Sequence, residues 1–305
     1  MVRDNRRNLL SLAVATVAMG SMWCGTAKAA VDPFADVAAI GSYAVVTIDG
    51  GNVVNTSGAH TILGDVGMVK NGRFVVSGVN GLVVNGTVRY DTTDAGFVGA
   101  LPPAILFSAT ALQAQDQSNI NAEALKASQD ATTRGLTPDQ TFGAITSSTV
   151  ITGVAGDNVI NIASITLSGT DTLKLQGLPS SRFILNVTGA MTFSGSNLTD
   201  LVFAGGVTGN DVLWNVTGGD VTGSGALNPV AQGIFLDVNH KIVLSGTGDI
   251  KGELITKELD LSGYINIEQQ PGVPGGGTPG VPEPASLSLL AAGCVGLMLR
   301  RRRVG

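Results

Sequence analysis

The stretch Lys241-Ile-Val-Leu-Ser-Gly-Thr-Gly-Asp-Ile-Lys-Gly-Glu-Leu-Ile255 carries the pattern that decides the fold. A short apolar run ends at the pair Ser245-Gly246, and another run follows after further glycines. Short runs rich in β-branched residues and bounded by Gly, Asn or Asp predict strands. We therefore predict a mainly β protein, with strands at 43–48, 73–77, 81–85, 163–167, 182–187, 212–216, 233–238, 241–244 and 258–261.

The pair Ser-Gly closes strand-like runs throughout the chain. It begins at Ser57, Ser77, Ser168, Ser194, Ser224, Ser245 and Ser262. Gaps of roughly 20 residues suit the coils of a β-solenoid, since glycine accepts the positive φ that tight corners need. The gaps are uneven, and a β-sandwich with short strands remains the structural alternative.

One segment interrupts the β pattern. Residues 108–134 contain no Gly or Pro, and their apolar residues follow mostly three- and four-residue steps, which predicts a helix. Ser108 can cap its start, and Gly135 can stop it. We predict an irregular right-handed β-solenoid over residues 30–268 with one long flanking α-helix at 108–134. The helix would pack on the sheet through Ala109, Leu112, Ile120, Ala124, Ala127 and Ala131.

This arrangement resembles a known family. Gly41-Ser-Tyr-Ala-Val-Val, Val54-Asn-Thr-Ser-Gly and Leu63-Gly-Asp-Val-Gly resemble the start of the ice-binding-like β-solenoid family, and the helix follows as it does there. Asp211-Val-Leu-Trp-Asn-Val216 and residues 241–255 look like its closing coils, and they also resemble choice-of-anchor A domains. The resemblance implies a solenoid. Ice-binding members expose flat threonine-rich faces, whereas this sequence has no unbroken Thr-x-Thr ladder.

The N-terminus has the features of an export signal. Basic residues precede an apolar stretch, and Ala27-Lys28-Ala29 provides an A-x-A cleavage site. We predict a signal peptide with a signal helix at 1–29, cut after Ala29 by the export machinery.

The C-terminus predicts a sorting signal. A Gly/Pro linker at 269–280 precedes the segment 281–303, which contains Pro282-Glu283-Pro284, an apolar stretch at 285–299 and a terminal arginine cluster. The order resembles the PEP-CTERM signal of Gram-negative bacteria. That resemblance implies a transient single transmembrane helix, cleavage by an exosortase-type membrane protease, and release to the cell surface or extracellular matrix. A plain tail anchor is the alternative. The arginines that would stay cytoplasmic are Arg300, Arg301, Arg302 and Arg303.

Charge and composition exclude several functions. The chain carries a net charge of −5, and its predicted termini hold many of its basic residues, which argues against nucleic acid as a partner. Both cysteines, Cys24 and Cys294, lie in those termini. His60 and His240 form no ligand-like pattern, so we predict no catalytic residue, no metal site and no cofactor. Weak calcium binding is the alternative for aspartates beside turn glycines, namely Asp49, Asp65, Asp157, Asp211 and Asp249.

Three functional hypotheses follow. The first is a non-catalytic exported surface or matrix protein, acting in adhesion or in a biofilm, with exopolysaccharide as a possible partner. The second is ice binding through a solenoid face rich in Thr, Ser and Ala. The third, a polysaccharide-active enzyme, requires carboxylates clustered within about 5 to 10 Å on one face.

Overall fold

The computed structural model describes residues 31–40, 43–70, 72–76, 81–91, 105–107, 112–115, 118–195 and 201–269. These ranges contain helices α1 (Pro33–Ile40) and α2 (Ser118–Arg134) and a 3-10 turn at Gly209–Asp211. The strands before α2 are β1 (Val45–Thr47), β2 (Val53–Gly58), β3 (His60–Leu63), β4 (Val66–Met68), β5 (Phe74–Val76), β6 (Leu82–Asn85), β7 (Val88–Asp91), β8 (Ile105–Phe107) and β9 (Leu112–Gln115). Those after α2 are β10 (Gln140–Ile145), β11 (Thr149–Thr152), β12 (Gly156–Ser168), β13 (Leu173–Gln176), β14 (Ser181–Val187), β15 (Met191–Gly195), β16 (Leu201–Ala204), β17 (Val212–Val216) and β18 (Val221–Glu268).

The strands stack in parallel, coil upon coil. Successive strands of one coil pair with different neighbours, as β1, β2 and β3 do with β4, β5 and β6. Each coil thus contributes to three faces, and β18 turns through all of them. Every pairing between described strands is parallel, which excludes the antiparallel sandwich and confirms the predicted solenoid.

The three faces are named by what they carry. The helix-covered face contains β1, β4, β7, β9, β10, β14, β17 and the first half of β12. The Thr/Ser face contains β2, β5, β15 and the second half of β12. The mixed face contains β3, β6, β8, β11, β13 and β16.

The coils do not stack in chain order. The first coil, β1 to β3, lies in the middle, and the chain winds outward from it to β9. After α2, β10 begins a second stack that winds back through β12, β14 and β17. β18 closes it by pairing with β1, β2 and β3, so the last coil covers the open edge of the first.

The flanking helix is present, but its predicted start at residue 108 was wrong. α2 begins at Ser118, because Leu112–Gln115 forms β9 and pairs with Val88–Asp91 of β7. Pairing with a coil here overrides the helical propensity of the local sequence. The predicted alanine face is confirmed from there on, since Ala124, Ala127 and Ala131 are fully buried.

Two apolar layers lie on opposite sides of the helix-covered face. Inside the solenoid, Trp214 and Phe235 stack with ring centroids 6.0 Å apart, and the Trp214 indole N–H donates to the Gln232 carbonyl at 3.1 Å. Outside it, Phe34 of α1 and the alanines of α2 pack on strand residues such as Ile184 and Leu213. Each fully buried large side chain contributes about 1.5–3 kcal/mol, so the helices are an integral part of the core.

The predicted terminal segments lie outside the described residues. This applies to the signal peptide at 1–29, to the linker beyond Gln269 and to the sorting signal with its apolar stretch at 285–299. Within the described ranges, neither helix has the length and apolar character needed to cross a bilayer.

Candidate functional site: the threonine and serine face

The Ser-Gly pairs within the described ranges, which leave out Ser77-Gly78, form one corner of the solenoid beside the Thr/Ser face. Ser168 is in register with Ser194, Ser194 with Ser224, and Ser262 with Ser57. The glycines that follow allow the coils to approach closely. A Cβ on Gly246, whose φ is +114°, would lie 2.0 Å from the Gly225 carbonyl oxygen. The repeat seen in the sequence is therefore this corner.

A ladder of threonines runs across the coils of this face. Thr166, Thr192 and Thr222 are in register, and the serines two residues further along each strand form a second row. Alternate residues point inward, where Ile165 and Leu167 are fully buried. Adjacent strands lie about 4.8 Å apart, and residues i and i+2 about 6.6 Å. The hydroxyl array, comprising Thr166, Ser168, Thr192, Ser194, Thr222 and Ser224, is thus a regular two-dimensional grid.

The threonine hydroxyls of the array remain available to solvent. Within the described ranges, those of Thr166, Thr192 and Thr222 make no hydrogen bond to another protein group. In the serine row, the Ser224 hydroxyl donates to the Phe193 carbonyl of the neighbouring coil at 3.5 Å. The strands hold the threonines in fixed positions while leaving their polar atoms to water.

The array has uncharged surroundings at its outer end, which is the end beside the coil of β10. Ser164 is in register with Ala144 of β10, and Ala190 lies beside Ser164 in the next coil. The mixed face differs, because Lys251 and Glu268 form an ion pair there at 3.7 Å and Asn266 donates to Asp249 at 2.8 Å. Charged groups bind water tightly and individually, whereas this part of the Thr/Ser face presents only methyl and hydroxyl groups.

A second ladder, of asparagines, fixes α2 to the helix-covered face. Asn161, Asn186 and Asn215 are in register. Their side-chain amides donate to the Gly135, Ala131 and Ser128 carbonyls at 2.7, 2.9 and 3.2 Å. The Ser128 and Ala131 carbonyls belong to the last two turns of α2, and Gly135 is the residue that follows the helix. The ladder is a structural clamp.

The two histidines have structural environments. His60 is 1% exposed, with its Nε2 2.9 Å from the Ser57 carbonyl oxygen and its Nδ1 accepting from the Ile265 N–H at 3.2 Å. Burial lowers the pKa of His60, which favours the neutral form of the ring. His240 lies within β18, with its Nδ1 3.1 Å from Asp237 Oδ1.

The turn aspartates bind groups of the protein itself. Asp157 accepts from Arg182 and Arg134 at 2.7 and 2.9 Å, and although burial alone would raise the pKa of Asp157, these arginines lower it. Asp65 binds the Arg89 guanidinium at 3.0 Å, and Asp211 accepts from the Thr208 hydroxyl at 2.6 Å. Asp49 pairs with Lys70. No cluster of three or more potential metal ligands occurs in the described part of the chain.

The residues predicted from the terminal motifs all fall outside the described ranges. They are Ala27, Ala29, Pro282, Glu283, Pro284 and Arg300 to Arg303. The threonine ladder was missed from sequence, because its members occur singly in separate coils. The available signal was the triplet Thr-x-Ser, which precedes Gly at Thr166, Thr192 and Thr222.

Together, the parallel coils, the flanking helix and the neutral hydroxyl face define a β-solenoid with one ordered polar surface. The sequence model of the ice-binding-like family matches residues 48–263. The chain belongs to that family, as the resemblance implied.

Solved structures share this fold. The ice-binding protein of the Antarctic ascomycete Antarctomyces psychrotrophicus matches with a TM-score of 0.50 and 18% identity, over 79% of this chain and 98% of that one. The domain of a Shewanella frigidimarina ice-binding protein matches with a TM-score of 0.52 and 19% identity, over 79% and 97%. An ice-binding protein from an Antarctic Flavobacteriaceae bacterium matches with a TM-score of 0.50 and 23% identity, over 76% of this chain and 46% of that one. No curated protein matches the chain. These comparisons favour the second of the three hypotheses over the first.

Proposed function

We propose that the protein binds ice through the hydroxyl array of the Thr/Ser face, without catalysing a reaction. The observation that carries this proposal is the register of Thr166, Thr192 and Thr222. Their hydroxyls make no hydrogen bond to any other group in the described part of the protein. Membership of the ice-binding-like family and the ice-binding activity named for the matched structures support it.

The physical basis is the ordering of water on a rigid grid. Each threonine offers a methyl group, which water cannot bind, beside a hydroxyl, which donates and accepts. Because the strands fix both at regular spacings, water molecules between the rows are held in repeating positions. Such a layer can join a growing ice lattice, whereas water around isolated charges cannot.

The test is Thr192→Lys in the purified chain. Thr192 lies at the centre of the threonine row, so a strongly hydrated ammonium there disrupts the grid on both sides. We expect thermal hysteresis and inhibition of ice recrystallisation to be lost while the circular dichroism spectrum stays unchanged.

The matched control is Gln176→Lys. Gln176 is exposed on β13 of the mixed face. Its replacement by lysine therefore adds the same charge as Thr192→Lys, but away from the array. Its activity should equal that of the unsubstituted chain. Equal loss in both variants, or no ice activity in the unsubstituted protein, would refute the proposal.

We further propose that the protein is exported and that the segment 281–303 directs it to the cell surface. The support is the sequence alone, namely Ala27-Lys28-Ala29 and the order of Pro282-Glu283-Pro284, an apolar stretch and arginines. Glu283→Ala should retain the protein in the membrane fraction, whereas the unsubstituted protein moves to the surface. Identical fractionation of both would contradict sorting by this motif.

A further inference from the structure

The Thr/Ser face changes character along its length. In the row that contains Thr166, Thr192 and Thr222, the next positions are Val243, then Asp260 and then Val54. Asp260 is in register with Val54, and the stacking of Gly246 between Gly225 and Gly263 aligns Val243 between Thr222 and Asp260. A carboxylate therefore occupies the position of a threonine.

A lysine holds this carboxylate in place. Lys241 lies in the coil next to Asp260, and its Nζ is 2.8 Å from Asp260 Oδ2. Both side chains keep contact with solvent, at 41% and 22% exposure. The ammonium and the carboxylate each retain tightly bound water, which is oriented by the charge and not by the grid.

The grid itself becomes irregular beyond this ion pair. The pairing of β18 with β2 shifts by one residue between Leu261 and Ser262, which leaves Thr56 as an extra residue. The Thr56 hydroxyl lies 3.2 Å from the Leu261 carbonyl oxygen. By contrast, the pairing from Ile165 to Gly225 runs through β12, β15 and β18 without a shift.

An open cleft borders the same region. It has a volume of about 430 Å³ and is lined by Asp49, Asn52, Asp220, His240, Lys241 and Glu258, among others. Water beside Asp260 therefore lies close to this polar cleft. The outer end of the array, by contrast, borders the uncharged residues Ser164 and Ala190.

We infer that the Lys241–Asp260 ion pair is the boundary of the ice-contacting surface and limits it to the coils of Thr166, Thr192 and Thr222. This inference rests on the proposed function and adds which residues set the extent of the site. Asp260 is a specificity-determining residue, because its charge sets how many coils contact the crystal.

The experiment replaces the boundary with neutral residues of the array. In Lys241→Ser/Asp260→Thr, the double substitution removes both charges at once, so neither is left unpaired, and it adds one threonine to the row. We expect greater thermal hysteresis than in the unsubstituted chain at equal molar concentration. A thermal melt checks that the fold is retained.

A second variant tests the inference independently, in case the double variant does not fold, and it moves the boundary in the opposite direction. Thr222→Asp places a carboxylate two coils nearer to Thr166, and we expect it to lower thermal hysteresis. The inference is overturned if the double variant equals the unsubstituted chain, or if Thr222→Asp retains full activity.

The outcomes separate the two claims. If Thr192→Lys abolishes activity while the double variant changes nothing, the Thr/Ser face binds ice and the boundary lies elsewhere. If Thr192→Lys is also without effect, the proposed face itself is wrong.

Discussion

Ser262 of the last coil lies in register beside Ser57 of the first, although most of the chain separates them in sequence. Their neighbours are even closer, because a Cβ on Gly58 would lie 1.6 Å from the Gly263 carbonyl oxygen. The first and last coils in sequence therefore meet in the middle of the stack. Their contact is built from backbone atoms that leave no room for side chains.

This contact predicts that Gly263→Ala is destabilising. Gly263 has φ +96°, and its Cβ would lie 2.1 Å from the Gly246 carbonyl oxygen. Strain and displacement of the coil should lower the free energy of unfolding by about 1–3 kcal/mol, measured by urea denaturation. The control is Gly143→Ala, because a Cβ at Gly143 meets nothing within 4 Å. It should be neutral or slightly stabilising. Equal loss in both variants would contradict the role of the corner.

The asparagine ladder predicts that Asn215→Ala loosens α2. Asn215 is fully buried, donates to the Ser128 carbonyl, the Thr132 hydroxyl and Asn186, and accepts from the Ser128 hydroxyl at 2.7 Å. Its removal leaves several buried groups without partners, which should cost about 1–3 kcal/mol of unfolding free energy. Faster amide hydrogen exchange in α2 would accompany the loss. Asn85→Ala, at an exposed position on β6, should change neither measurement.

Trp214 should be essential to the interior of the solenoid. It is fully buried and stacked on Phe235. Trp214→Ala leaves a large cavity and should reduce the free energy of unfolding by about 3–5 kcal/mol. Tyr264→Ala removes an aromatic ring that is 58% exposed, and we expect a change below about 0.5 kcal/mol. A thermal melt of both variants checks the contrast, and comparable shifts would argue against this packing.

The stability of the protein should fall as pH rises from about 4 to 6. Burial raises the pKa of Asp237 from 3.8 to about 6, although His240 opposes the shift. In this range the unfolded chain releases the proton while the folded chain retains it, so raising the pH favours unfolding. The resulting loss of unfolding free energy reaches up to about 3 kcal/mol, and it is complete once the pH exceeds the pKa of Asp237 in the folded protein. Asp237→Asn should remove that part of the slope in urea titrations.

Glu253 should produce a pH dependence of the same sign. The side chain is 4% exposed, and burial raises the pKa of Glu253 well above the usual value, although the Tyr43 backbone opposes the shift. A slope should therefore persist in Asp237→Asn and decrease further in Asp237→Asn/Glu253→Gln. If the double variant retains the full slope, these carboxylates are not its source.

The sequence predicted the coils because their signals are local. Glycine after serine, as at Ser245-Gly246, marks a corner in the described coils, and Ala124, Ala127 and Ala131 mark the buried side of a helix. The predicted start of α2 at residue 108 was wrong, because β9 forms a strand only through its pairing with β7. The order of the coils could not be predicted either, since it depends on contacts between distant parts of the chain, such as Ser262 and Ser57.

The candidate site was harder to predict than the fold for a geometric reason. The linear sequence contains no Thr-x-Thr ladder that repeats from coil to coil, and the array does not require one. Thr166, Thr192 and Thr222 become neighbours only when their coils stack, so the alignment of coils creates the surface. Asp260 is likewise recognised as an interruption only once Val243 and Val54 lie on either side of it.

The coil order also determines where the described part of the chain ends on the solenoid. Gln269, the last described residue, lies against the first coil, where its N–H donates to the Leu63 carbonyl at 2.8 Å and its side chain accepts from the Asp65 N–H at 2.9 Å. Gln269 therefore lies at the edge of the mixed face, in the middle of the stack of coils. Any tether attached at Gln269 would join the solenoid at a middle coil and on a different face from Thr166, Thr192 and Thr222.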